Sequence, residues 1–232
     1  MAISPDDAAG RRDDGPTLTT ALRRRLLWKV ASPLFRGLGR AIFTLRIEYE
    51  APLPAPPFVV AANHYSHFDG PLVGAALGMP VRFLVVEDLF GNQPLLDWLV
   101  LGAGAIPLPR RRLPLRALRT ALAALESGEV VGIFPEGTRV THWTTLPAKR
   151  GAGWLAARAE VPLVPVAVIG TGIAFGLDKR VRRAPIRVVV GPPLRSGDTL
   201  ELTDRWSAWI SETIARFPGS EVAGPKRAFF SA

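Results

Sequence analysis

Asn63-His64-Tyr65-Ser66-His67-Phe68-Asp69 is the stretch around which the chain is organised. An apolar run, Phe58 to Ala62, precedes it and reads as a buried strand. Gly70-Pro71 follows and can open a helix. Four residues separate His64 from Asp69. On a straight helix the two side chains would point about 140° apart. They meet only if the chain turns between them, as a strand-to-helix loop does. Asp69 can then accept a hydrogen bond from one ring nitrogen of His64, which fixes the tautomer and leaves the other nitrogen free as a base. Histidine suits that task because its reference pKa is about 6.5. A plainer reading stands beside this one: His64 is a capped turn residue and Asp69 a helix N-cap. The position after a buried strand favours the first reading, because open α/β sheets place their sites at the carboxyl ends of strands. His67 lies two residues from Asp69 and reads as pocket lining or as a spare histidine.

Outward from this stretch, apolar strand-like runs alternate with helical patterns. The strands are expected at 58–62, 81–86, 106–108, 130–134, 164–169 and 186–190. Helices are expected at 70–77, 88–100, 151–160 and 202–217, and over Leu115, Leu118, Leu122 and Leu125, stopped by Gly128. This alternation predicts an α/β fold with a mostly parallel central sheet flanked by helices on both faces. Ahead of it, Leu18, Leu22, Leu26, Val30, Leu34, Leu38 and Ile42 recur every four residues. Arg23, Arg24, Arg25, Lys29, Arg36 and Arg40 share the segment, and no acid occurs between Asp14 and Glu48. This is a basic amphipathic helical extension, with Pro33 expected to kink or divide it. Two readings remain open for it: an anionic membrane surface, or packing on its own domain with a solvated basic face. The expected organisation is a disordered tail at 1–16, a membrane-surface helical extension at 17–48, the main domain at 49–220 and a C-terminal tail at 221–232.

The totals narrow the chemistry. A chain of 232 residues builds one substantial core. The net charge of +9 points to an anionic partner: nucleic acid, membrane or phosphorylated substrate. No recognition motif or aromatic-basic strip for nucleic acid accompanies the charge. Cysteine is absent, so there is no thiolate nucleophile or disulfide frame, and a reducing compartment fits. The sequence holds 3 histidines and no matching carboxylate cluster, so no metal site is expected. No signal peptide is visible. There is no Gly-x-Ser-x-Gly elbow and no phosphate loop ending in Gly-Lys-Ser/Thr.

Two further places carry polar residues after apolar strands. Glu136-Gly137-Thr138-Arg139 follows the run at 130–134. Gly137 permits a turn that other residues resist, and Arg139 offers a planar fork suited to phosphate. The alternative is a surface turn with an internal ion pair of little worth. Arg110, after the 106–108 run, and Lys149 are further candidates for an anion site. Lys179, Arg180, Arg182, Arg183 and Arg187 read as a basic face.

Taken together, these pieces resemble the glycerolipid acyltransferases typified by 1-acyl-glycerol-3-phosphate acyltransferase. Asn63-His64-x-Ser66-x-x-Asp69 is similar to the family's first motif, and Gly104-x-Ile106-x-x-x-Arg110 to its second. Phe134-Pro135-Glu136-Gly137-Thr138-Arg139 is similar to the third, and Val161-Pro162-Leu163-Val164-Pro165 to the fourth. Val140 stands where the family usually has serine. The resemblance implies acyl transfer from acyl-CoA or acyl-carrier protein to the hydroxyl of a lysophospholipid, with no cofactor and no metal. It implies His64 and Asp69 as the catalytic pair, and Glu136, Gly137, Thr138, Arg139, Arg110 and Lys149 as the acceptor site. Pro162 and Pro165 would shape an acyl-binding wall. It places the protein on the cytoplasmic face of a membrane. The rival acceptors are lyso-glycolipids and lyso-ornithine lipids; a nucleic-acid module and an inactive membrane scaffold are the other classes.

Overall fold

A computed structural model describes residues 18–87, 104–109, 114–175 and 181–219. The expected helix at 88–100, both terminal tails, Arg110, Lys179 and Arg180 lie outside the described residues.

The sheet follows from uninterrupted apolar runs. Strand β2 (Phe58–Ala62) is buried along its whole length, as a strand covered on both faces must be. It is hydrogen-bonded in parallel to β5 (Val130–Ile133) on one side and β6 (Leu163–Ile169) on the other. Beyond β5 come β3 (Val81–Val86) and β4 (Ile106–Leu108), also parallel. At the other edge, β7 (Arg187–Val190) runs antiparallel to β6, and β1 (Arg46–Tyr49) runs parallel to β7. The result is a seven-stranded sheet in the order β1-β7-β6-β2-β5-β3-β4.

Alternation along β2 sorts side chains between two cores. Val59 and Ala61 face helices α3 (Leu115–Glu126), α4 (Gly151–Arg158) and α6 (Thr199–Ala215). Phe58, Val60 and Ala62 face the side covered by α2 (Asp69–Leu77) and the short α5 (Thr171–Ala174). On α6, Trp206 is buried and donates its indole N–H to Ala61 O at 2.8 Å. Asp198 caps the same helix by accepting from the backbone of Leu200 and Glu201 at 2.8 and 2.9 Å.

The N-terminal helix α1 (Leu18–Phe43) departs from expectation twice. It runs unbroken through Pro33. Pro33 is exposed, so the backbone bond it forfeits falls on the solvent side. On the opposite face Trp28 and Ser32 are buried and bonded to α2. Of the two readings of its charge pattern, packing on the domain holds for this face, while the four-residue stripe is turned away from the domain. Leu22, Leu26, Val30, Leu34 and Leu38 are each more than half exposed. The boundary expected at residue 48 also shifts. Arg46 to Tyr49 is an edge strand of the sheet, paired residue for residue with β7, so the sheet begins inside the span assigned to the extension.

Candidate functional site

Parallel pairing of β2 with β5 decides where the site lies. In-register neighbours end at the same edge of the sheet, so the loops after them, 63–68 and 134–140, stand side by side at the carboxyl ends of the strands. A third contact ties the first loop down: Asn63 closes a two-way bond with Val168 of β6, its Nδ2 donating to the carbonyl and its Oδ1 accepting the N–H.

The loop turns as the spacing of His64 and Asp69 requires. Asp69 is fully buried as the first residue of α2. Its Oδ2 accepts from Tyr65 N and Ser66 N at 2.7 Å each, and from His64 Nδ1 at 2.9 Å. A carboxylate only accepts, so the proton of the shared bond sits on Nδ1. His64 Nε2 is left as the lone-pair nitrogen and has no protein partner among the described residues. Asp69 does not cap α2 as an N-cap would, since that position is Phe68. It binds backbone N–H groups of its own loop and thereby folds His64 back over itself.

The second loop holds His64 from three further directions. Glu136 Oε1 accepts the His64 N–H at 3.1 Å. Val140 N donates to the His64 carbonyl at 2.9 Å. Phe134 stacks its ring on the imidazole, with centroids 3.9 Å apart and planes 14° from parallel, and is itself stacked on Phe83 at 4.8 Å. Position 140 serves through its backbone and a buried side chain, which valine supplies. Phe83, the stacking of Phe134 on His64 and the inward use of Glu136 were not singled out from the sequence. The signal for Phe134 was present, as the last apolar residue before the polar loop, but its partner is set by sheet order.

Electrostatics at the site are unbalanced. Burial pushes the Glu136 carboxyl up to about 7, helped by the nearby Asp69 carboxylate and opposed by its backbone hydrogen bonds. Its Oε2 and the Oδ1 of Asp69 are buried without a hydrogen-bond partner. Partial burial pushes the Arg139 guanidinium down while Asp69 pulls it up. Arg139 forms no ion pair with another described residue.

Of the acceptor-site residues expected from sequence, Glu136 bonds to His64, Arg139 on the same loop lies within electrostatic reach of Asp69, Gly137 meets Lys149, and Thr138 is an exposed residue of that loop. Gly137 adopts φ +71°, and a Cβ there would collide with the Lys149 ammonium. Lys149 is tied to the loop by its own N–H, which donates to Pro135 O at 2.8 Å. Arg110 lies outside the described residues. Pro162 and Pro165 are not brought to His64. Asn63 pairs with Val168, and six residues of extended chain back to Pro162 span about 20 Å. Pro165 lies inside β6, opposite Ala61 and packed on Gly191. Among the described residues no cluster of His, Cys, Asp and Glu is arranged to hold a metal ion.

Residues 44–169 match the acyltransferase family. The chain belongs to that family. Among its curated relatives, the 1-acyl-sn-glycerol-3-phosphate acyltransferase of Bacillus subtilis is 31% identical over 155 residues, covering 66% of this chain and 75% of that one. The α form of Bos taurus is 35% identical over 166 residues, 66% of this chain and 56% of its own. A chloroplastic relative of Brassica napus is 29% identical over 68% of this chain and 46% of its own, so this chain spans only about half of the longer relatives. Among solved structures, the Thermotoga maritima 1-acyl-sn-glycerophosphate acyltransferase PlsC shares the fold, with a TM-score of 0.69 at 22% identity over 84% of this chain and 81% of that one.

Proposed function

We propose that this acyltransferase-family chain moves a fatty acyl group from a thioester, acyl-CoA or acyl-carrier protein, to the free hydroxyl of 1-acyl-glycerol-3-phosphate, giving phosphatidate. The observation that carries this reading is the bond from His64 Nδ1 to Asp69 Oδ2, which leaves Nε2 free beside the Arg139 loop. His64 Nε2 takes the proton from the acceptor hydroxyl as the oxygen attacks the thioester carbonyl. Asp69 stabilises the imidazolium. The tetrahedral intermediate expels the thiolate, which receives the proton from His64. Positioned proton transfer of this kind contributes about 10²–10⁴-fold.

Arg139 and Lys149, joined by Arg110, hold the acceptor phosphate, with Gly137 and Thr138 giving the loop its close approach. Glu136 serves the acceptor from beneath, by fixing the His64 backbone rather than by touching lipid; its burial supports this role. The scheme uses no metal and no cofactor.

No helix among the described residues is long and apolar enough to cross a membrane. We place the enzyme on an anionic membrane surface, at the cytoplasmic face, held by the exposed stripe of α1 from Leu22 to Ile42 and the cations beside it. The test is an assay of labelled acyl-CoA and acyl-carrier protein against lysophosphatidate, lysophosphatidylethanolamine and lyso-ornithine lipid. Acylation of lysophosphatidate above the others supports the reading; preference for an acceptor without a phosphomonoester contradicts it.

A further inference from the structure

Helix α2 presents Asp69 at one end and a row of carbonyls at the other. The last four carbonyls of any helix lack partners inside it. In α2, side chains from the N-terminal segment reach three of the last carbonyls, of which Gly74 O also accepts the Gly78 N–H at 3.0 Å. Trp28 Nε1 donates to Gly74 O at 3.1 Å, Ser32 Oγ to Ala75 O at 3.0 Å, and Tyr49 OH to Ala76 O. Trp28 and Ser32 are buried. The indole lies so close to α2 that a Cβ at Gly74 would sit 2.6 Å from its ring. A further buried link, Arg24 to Glu129 at 2.9 Å and Glu129 to Arg82 at 2.8 Å, pins the start of α1 to the sheet.

We infer that the inner face of α1 is part of the catalytic apparatus: Trp28 and Ser32 are positioning residues that set α2, and through it the Asp69 carboxylate against His64. This rests on the His64–Asp69 pair proposed above. Asp69 is stiffly joined to α2, being its first residue, and its Oδ2 binds the loop at 2.7–2.9 Å. A helix of 9 residues is a rod about 13 Å long. A shift at its carbonyl end is therefore felt at Asp69, and a misplacement of about 1 Å at a reacting group can cost on the order of 10²-fold. The helix that meets lipid with its outer stripe holds the base in register with its inner face.

The test uses the full chain with Trp28→Phe, which keeps the ring and loses the donor, Ser32→Ala, Ser32→Thr and Gly74→Ala. Ser127→Ala is the control, because it removes the same kind of bond, a serine hydroxyl to the carbonyls of Ala123 and Ala124, at the end of α3. Two readouts are taken on folded variants. One is kcat and KM with a dispersed short-chain lysophosphatidate. The other is the proton signal of His64 Nδ1–H in histidine-labelled protein, assigned by its loss in His64→Gln. Trp28→Phe, Ser32→Ala and Gly74→Ala should lower kcat by about fivefold or more with KM little changed, and should move or broaden the Nδ1–H signal. Ser32→Thr should restore both, and Ser127→Ala should alter neither. Folded variants that keep wild-type kcat and an unmoved signal while losing only thermal stability overturn the inference. A wild type inactive on every lysolipid overturns the proposed function instead, and the Nδ1–H signal still decides this one.

Discussion

Asp69 Oδ2 receives two backbone N–H groups as well as the imidazole, so the carboxylate folds the loop and orients the ring at once. Asp69→Asn keeps the shape and removes the charge that stabilises the imidazolium. Its expected effect is a loss of about 10²–10⁴-fold in kcat, with a smaller change in KM, read by steady-state acylation. Glu136 makes a different prediction. Its carboxyl sits near 7 in the fold against an ordinary 4.5, so folding takes up a proton between those values and stability falls as pH rises through that window. Glu136→Gln retains an oxygen for the His64 N–H and carries no charge. Relative to wild type it should gain stability between pH 5 and pH 8, by up to about 3 kcal/mol. Melting curves of both proteins at the two pH values check this; a constant difference contradicts it. That Glu136 points inward could not be read from Glu136-Gly137-Thr138-Arg139. A charged tetrapeptide after a strand fits a ligand site or a surface turn equally, until the neighbouring loop is known to offer the His64 N–H.

At the scale of elements, the stack Phe83–Phe134–His64 spans β3, the end of β5 and the loop after β2. It exists because β5 lies between β2 and β3, an order that no local pattern carries. Phe134→Leu preserves apolar bulk and abolishes the flat surface under the imidazole. The variant should fold and lose about tenfold in kcat; an unchanged rate would show that Asp69 alone holds the ring. The central strands were legible because a parallel strand covered on both faces must be a continuous apolar run. β1 was not, since Arg46-Ile47-Glu48-Tyr49 is an edge strand with polar, partly exposed positions and follows directly on a helix. Pro33 does not divide the helix, one of the two outcomes expected for it. Proline's local penalty is real, but Pro33 lies on the exposed side while Trp28 and Ser32 fasten the other side of the helix to α2.

For the whole molecule, the question is which way it faces. The apolar stripe of α1 was visible as a four-residue repeat, yet its outward direction needed the fold, because only the packed structure shows that Trp28 and Ser32 take the inner face. A stripe so exposed predicts lipid binding that combines apolar insertion with charge attraction. Val30→Glu, at a position 71% exposed, should weaken sedimentation with anionic vesicles by roughly tenfold or more. Wild-type binding should also weaken as salt rises. Retention of full vesicle binding by this variant would place the lipid-facing surface elsewhere.

The most direct test of the site is the rate of acyl transfer to lysophosphatidate by His64→Ala, measured on protein shown to be folded. A general base at this position requires a loss of about 10²–10⁴-fold in kcat. A folded His64→Ala protein that acylates lysophosphatidate at the wild-type rate would contradict it.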